Sequence, residues 1–217
     1  LVPEFHKHLF HKKNTQQLIL NIGGISNFSF LSGGKFFYGT DCGPGNLLLN
    51  AYCKKHLNIE YDKDGKIASS GICCQKSLNL MLDNKFFRKK YPKSTGRDLF
   101  SYSYIPKNLL RKKPEDVLRT LTEFTAMCIL KSIKSNNHLN VARIISCGGG
   151  SRNKFLMSRI SDLTKISLES SDLIGYPSQA IESMAFAWYG YKKIKGLPSL
   201  IHQKKSSFTK AVLGSLT

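Results

Sequence analysis

Residues Leu18 to Ala51, LILNIGGISNFSFLSGGKFFYGTDCGPGNLLLNA, restrict the fold more than any other stretch of the chain. Leu18-Ile19-Leu20-Asn21-Ile22 is short, branched and apolar, and Gly23-Gly24 follows at once, which predicts a buried strand. Asn27 to Leu31 alternates, turns at Ser32-Gly33-Gly34 and continues as Lys35 to Gly39. Together these pieces predict a meander of strands with glycine turns at its ends. Asp41-Cys42-Gly43-Pro44-Gly45-Asn46 then leads into a helix predicted over Gly45 to Leu57, with Leu48, Ala51 and Tyr52 on one face.

The two glycine clusters have two readings. Gly23-Gly24 and Gly43-Pro44-Gly45 are turns in their own right. Glycine also lets backbone amides approach a phosphate with no Cβ in the way, and a helix N-terminus favours the negative charge. Two clusters in one sheet, with Asp41 beside the second, keep both readings open.

A chain of 217 residues, 41% hydrophobic, has ample length for a core. No apolar run approaches a membrane span, and no signal-peptide pattern is present. The cysteines (Cys42, Cys53, Cys73, Cys74, Cys128, Cys147) form no C-x-x-C pair and sit among apolar neighbours, as reduced thiols of a cytosolic protein do. Lys and Arg number 33 against 14 acidic residues, a formal charge of +19. The basic residues lie scattered in twos, as in Lys54-Lys55 and Lys89-Lys90, without a nucleic-acid motif, so a basic surface is favoured over a nucleic-acid interface. The chain opens on Leu1 rather than Met and soon reaches its first core strand, which points to a missing upstream segment.

His6, His8 and His11 read as a solvated helix face rather than a metal site, because no further ligand follows nearby. Tyr61 to Gly65 is a polar turn lacking the later ligands of a calcium loop. A short amphipathic segment is expected around Leu78 to Phe87. Tyr91 to Asp98 is a polar loop, either a turn whose Ser94 or Thr95 caps the next segment or a ligand-facing loop. Pro114 to Ile133 is the clearest helix, with Glu115 and Asp116 at its positive end and Val117, Leu121, Phe124 and Cys128 at core spacing. Val141 to Cys147 reads as a strand, followed by Gly148-Gly149-Gly150-Ser151-Arg152-Asn153 and a helix with Phe155, Leu156 and Ile160 inward. Strand, glycine turn and helix is a way of holding a nucleotide, although neither a Walker A loop nor a G-x-G-x-x-G fingerprint is present. Thr164 to Leu168 reads as a last strand. Pro177-Ser178 opens a final helix through Tyr191, with Ser178 as cap, Ile181, Ala185 and Trp188 inward, and Glu182 in its first turn easing the helix dipole. The tail carries Ala211-Val212-Leu213, an edge segment. The element order predicts an α/β layer structure with a mixed sheet.

Taken together, LNIGGISN (Leu20 to Asn27), TDCGPGN (Thr40 to Asn46), YDKDG (Tyr61 to Gly65), PKSTGR (Pro92 to Arg97), LTEFTA (Leu121 to Ala126), SCGGGSRN (Ser146 to Asn153), AIESMAFAW (Ala180 to Trp188) and VLGSL (Val212 to Leu216) resemble the anhydro-N-acetylmuramic acid kinases. These belong to the acetate kinase/sugar kinase/Hsp70/actin superfold. The resemblance implies a ribonuclease H-like mixed sheet with flanking helices, the C-terminal domain of an actin-like ATPase. It implies that the N-terminal domain is largely missing, residues 1–17 being the remnant of the inter-domain connection and 18–217 the kinase domain. It implies ATP with Mg²⁺, an amino-sugar substrate, a homodimer without nucleic-acid or membrane partners, and a bacterial cytoplasmic setting. The implied reaction is ATP-dependent phosphorylation with hydrolytic opening of 1,6-anhydro-N-acetylmuramic acid, giving N-acetylmuramic acid 6-phosphate in cell-wall sugar recycling. The alternative is a truncated, non-catalytic nucleotide-binding remnant. On this resemblance Gly23, Gly24 and Asn27 are the second phosphate-binding element, and Gly43, Gly45 and Asn46 line the cleft. Gly148, Gly149, Gly150 and Asn153 form the adenosine-binding turn, and Asp41 and Glu182 face the sugar, in place of a purely dipole-easing role for Glu182. The first phosphate loop and the general base are expected before Leu1, and no metal ligands are assigned. Asn50, Leu173 and Gln179 stand where the family commonly has acidic residues.

Overall fold

Leu18, Leu20 and Ile22 point to one side of a strand and Ile19 to the other, and none is more than 1% exposed. A strand apolar on both sides belongs in the middle of a sheet covered on both faces. The computed structural model, which describes residues 2–33, 35–136, 140–202 and 208–214, places it there. The meander is β1 (Gln16–Ile22), β2 (Ile25–Ser32) and β3 (Lys35–Pro44), each antiparallel to the next. β4 (Arg143–Cys147) runs parallel to β1 and β5 (Ser167–Ser170) parallel to β4, giving the order β3-β2-β1-β4-β5. Gly34 of the expected turn and Ser215 and Leu216 of the last quoted string lie outside the described residues.

Helices cover both faces. α6 (Pro114–Lys134) and α7 (Lys154–Thr164) place Ala126, Ile129, Leu156 and Ile160 against Leu18, Leu20, Ile22 and Ile144. On the other face α1 (Val2–Phe10) and α8 (Ile181–Ile194) place Phe5, Phe10, Ile181 and Ala185 against Ile19, Leu31, Ile145 and Cys147. A third cluster, with Tyr52, Phe86, Phe100 and Phe124 at its heart, joins α6 to α2 (Leu47–Tyr52), α3 (Lys66–Ser70), α4 (Gln75–Leu82) and α5 (Lys85–Arg88). Each fully buried side chain of this size contributes about 1.5–3 kcal/mol. α6 serves two clusters because its apolar residues wrap round much of its circumference, and it carries Pro114 at its first turn, as its sequence predicts. Glu123 ties α6 to α7, accepting from Arg119 Nε at 3.1 Å and also binding Arg159.

Several elements depart from expectation. The helix expected from Gly45 starts at Leu47, with Asn46 as its N-cap, and widens into a π-helical turn at Cys53–Leu57. β5 begins at Ser167 because α7 runs on through Thr164. Ser178 caps nothing: α8 starts at Ile181 with Ala180 as its N-cap, while the Ser178 amide donates to Asp172 Oδ1 at 2.8 Å. His6 is not solvated; it is fully buried and its Nδ1 lies 2.8 Å from Ser29 Oγ. Among the described residues the tail joins no edge of the main sheet, and β6 (Ser199–His202) and β7 (Phe208–Ala211) pair with each other. The six cysteines are free thiols, and burial pushes Cys42 and Cys147 up to about 12.

Candidate functional site

The two glycine-bearing strand ends meet at one edge of the sheet. β1 and β4 are parallel and in register, Asn21 opposite Cys147, so Gly23-Gly24 and Gly148-Gly149-Gly150 leave the sheet side by side. The Gly43-Pro44-Gly45 turn joins them, since Gly45 N donates to Gly24 O at 2.8 Å and Asn46 N to Gly23 O at 2.8 Å. Thr125 of α6 holds this junction from below by donating to Gly45 O at 3.0 Å.

The three consecutive glycines do different jobs. Gly148 has φ +81°, and a Cβ there would press into the Asn21 side chain and to within 2.8 Å of Ile22 O. A Cβ on Gly150 would come within 3.0 Å of Ile22 O. Those two let the turn lie flat on β1. A Cβ on Gly149 would find only Asn46 Nδ2 within 4 Å, at 3.9 Å. Gly149 therefore presents open backbone to the space above the sheet.

Gly149 and Gln179 line two cavities, one on either side. The first, about 320 Å³, lies on the α1/α8 side, and Asn21, Gly23, Gly148, Ser178, Glu182 and His6 line it. The second, about 360 Å³, lies beside Asn46, Asn50, Arg152, Asn153 and the turn from Tyr61 to Asp64. That turn is held by Asp62, whose carboxylate accepts from Ile67 N at 3.0 Å and Ala68 N at 2.9 Å. Asn153 caps α7 by accepting from Leu156 N at 3.0 Å.

The structure thus brings Gly23, Asn46, Gly148, Gly149, Asn153 and Glu182 to the cavity walls. Gly24, Gly45 and Gly150 form the scaffold beneath. Asn27 and Asp41 pair across β2 and β3, and Gly43 packs toward Cys128 and Phe87; these three line neither cavity. Asp41 is nonetheless a built position. Its Oδ2 accepts from Thr95 N at 2.8 Å and from Ser94 Oγ at 3.1 Å, and its own amide donates to Lys93 O at 2.9 Å. The loop from Tyr91 to Asp98 therefore caps no helix and instead orients a carboxylate. Lys93 anchors it from within, buried, donating to Phe86 O at 3.2 Å with its ammonium 4.4 Å from the Phe86 ring centroid; burial lowers its pKa.

Inspection of the sequence missed His6, Ser178 and Asn21 as cavity residues. Asn21 carries a readable signal, a lone polar residue inside the apolar run of β1. His6 and Ser178 carry none, since their burial depends on how α1 and the Ser178 loop dock.

A sequence profile of the anhydro-N-acetylmuramic acid kinases matches residues 1–217. The chain belongs to the anhydro-N-acetylmuramic acid kinase family. A relative named anhydro-N-acetylmuramic acid kinase, from Gamma-proteobacterium EBAC31A08, is 48% identical over all 217 residues, which are 59% of its own length. The chain thus spans about three-fifths of this relative. Among solved structures, the activator of the 2-hydroxyisocaproyl-CoA dehydratase from Clostridium difficile with bound ADPNP aligns with TM-score 0.58 at 14% identity, covering 90% of this chain and 66% of that one. Xylulose kinase from Rhodospirillum rubrum aligns with TM-score 0.54 at 13% identity, covering 86% of this chain and 39% of that one. These likenesses show the fold: the family member described here has the α/β, mixed-sheet architecture of the actin-like ATPases and sugar kinases. No described helix is long and apolar enough to cross a membrane.

Proposed function

We propose that this chain supplies the nucleotide-facing wall and part of the sugar-facing wall of an anhydro-N-acetylmuramic acid kinase. The whole enzyme would use ATP and water to open 1,6-anhydro-N-acetylmuramic acid to N-acetylmuramic acid 6-phosphate in the bacterial cytoplasm. The observation that carries this reading is Gly149, an open backbone position between two cavities, flanked by two glycines that cannot accept a side chain. Such a floor suits a flat ligand lying against the backbone.

When bound, ATP supplies the phosphoryl group. In this chain Gly149 bears the adenosine, with Asn153 and Arg152 beside it, and Gly23 and Gly24 approach the phosphates from the β1–β2 turn. The described residues contain no group of three His, Cys, Asp or Glu that could hold a metal. A Mg²⁺ ion brought by the nucleotide needs few protein ligands, because phosphate and water supply the others. Asp41 and Glu182 are the carboxylates assigned to the sugar.

ATP binding by the chain tests the nucleotide half of this reading. Turnover of 1,6-anhydro-N-acetylmuramic acid, measured after joining the chain to the N-terminal portion of the 48%-identical relative, tests the rest. Two substitutions separate the carboxylates. Glu182→Gln is expected to weaken sugar binding roughly 10-fold, as loss of a charge-assisted hydrogen bond does, and to spare ATP. Equal loss of both ligands by calorimetry would return Glu182 to a helix-dipole role. Asp41→Asn is also expected to weaken the sugar. If sugar affinity is kept while turnover falls more than about 100-fold, the general base is Asp41 itself and does not lie before Leu1.

A further inference from the structure

Four of the six thiols are sealed in the core. Cys42, Cys53, Cys128 and Cys147 are at most 1% exposed, and burial raises the pKa of each. Cys73 and Cys74 differ: they are adjacent in the chain and both are partly exposed. They lie between α3 and α4 and line neither cavity of the candidate site. α6 holds this segment by its backbone. Ile72 N donates to Asp116 Oδ1 at 2.7 Å and Cys74 N to Thr120 Oγ1 at 2.9 Å. A Cβ on Gly71 would run into Glu115 O, so the segment lies flat on the helix.

The two thiols have unlike surroundings. Cys74 Sγ lies 3.3 Å from Ser77 Oγ, and Asn108 Nδ2 donates to the same oxygen at 3.1 Å. With Asn108 donating to that oxygen, the Ser77 hydroxyl proton is free to point at sulfur. Cys74 is also the N-cap residue of α4, whose first turn carries no acidic side chain. Lys112 favours its thiolate and Asp116 opposes it, and the Ser77 hydrogen bond leads in lowering its pKa. Burial raises that of Cys73. An accessible thiol favoured as thiolate, next to one that is not, is the arrangement of a redox-sensitive pair.

We propose that Cys74 is a peroxide-reactive thiol and Cys73 its resolving partner, so that the two close reversibly to a disulfide. The Cys74 thiolate attacks the terminal oxygen of hydrogen peroxide or an organic hydroperoxide. An S–O bond forms, the O–O bond breaks, and hydroxide or alkoxide leaves, with Cys74 now a sulfenic acid. Cys73 gives up its proton and attacks that sulfur; the S–S bond forms, the S–O bond breaks, and the hydroxide takes the proton away as water. The thiols lose two electrons and the peroxide gains them. Neighbouring Cα atoms lie about 3.8 Å apart, short of the roughly 4.4–6.8 Å of ordinary disulfides, so added thiol reopens the bridge readily.

Tryptic peptide 67–76 contains both thiols and no other cysteine. After one equivalent of hydrogen peroxide, mass spectrometry of the reduced chain is expected to show this peptide lighter by two hydrogens, and restored by dithiothreitol. In Cys73→Ser the reaction is expected to stop at a sulfenic acid on Cys74, trapped by dimedone, and in Cys74→Ser the peptide is expected to stay unmodified. Oxidation first at Cys42, Cys53, Cys128 or Cys147, a disulfide between two chains, or a Cys74→Ser peptide that still reacts would overturn the proposal. Ser77→Ala gives a test without oxidant: alkylation of Cys74 by iodoacetamide near neutral pH is expected to slow roughly 5-fold, as loss of one hydrogen bond to the thiolate does. An unchanged rate would remove Cys74 as the activated thiol.

Discussion

Gly149→Val is expected to leave the chain folded and to weaken ATP binding by more than about 100-fold, close to 3 kcal/mol. The substitution separates two things that a glycine triplet confounds. At Gly149 the new side chain enters open space, its Cβ no nearer than 3.9 Å to the Asn46 amide, and fills the place where the two cavities meet. At Gly150 the same change drives Cβ into the Ile22 side chain, and at Gly148 it adds the strain of φ +81°. Gly150→Val and Gly148→Val are therefore expected to lower the melting temperature by several degrees or more, as core overpacking and left-handed strain do. Thermal melts and nucleotide titrations on all three variants give the comparison. Unchanged ATP affinity in a folded Gly149→Val protein would remove the adenosine from this turn.

The second large effect is on stability against acid. His6 in the folded chain has its pKa lowered to about 3, chiefly by burial, against an ordinary value of 6.5. Between those two values the unfolded chain binds a proton that the folded chain refuses. Folding stability is thus full above pH 6.5 and falls as pH drops toward 3, by about 1.4 kcal/mol per pH unit and ~5 kcal/mol in all. A loss of that size matters to a domain whose whole stability is of order 5–15 kcal/mol. Urea midpoints measured from pH 7 to pH 4 are expected to decline steeply in the native sequence and less so in His6→Gln, the difference isolating His6 from the carboxylates that titrate in the same range. Parallel curves for the two proteins would mean that water reaches His6.

Periodicity alone marks the scaffold of this protein. The apolar run at Leu18 to Ile22, the alternation after Asn27 and the core spacing in Pro114 to Ile133 each predict an element that forms, because hydrophobic period and turn glycines are local properties. The sequence strings also suffice to place the chain in its kinase family and to nominate Gly149, Asn153 and Glu182, which line the cavities. Tertiary structure decided what each polar group does. Ser178 looks like a helix cap, yet Asp172, brought round by the turn after β5, takes its amide, and α8 starts three residues later. His6 looks solvated on its helix, yet α1 lies against β2 and buries it beside Ser29. Ser94 and Thr95 look like caps, yet they clasp Asp41 more than fifty residues away. Among Gly148, Gly149 and Gly150, identical as letters, contact with β1 separates the first and third, pressed against Ile22, from Gly149, which faces open space. A periodic pattern reports which residues leave water, a sum over neighbours in the chain. A polar side chain's role is set by the partner that reaches it, and in this fold those partners come from distant strands and loops.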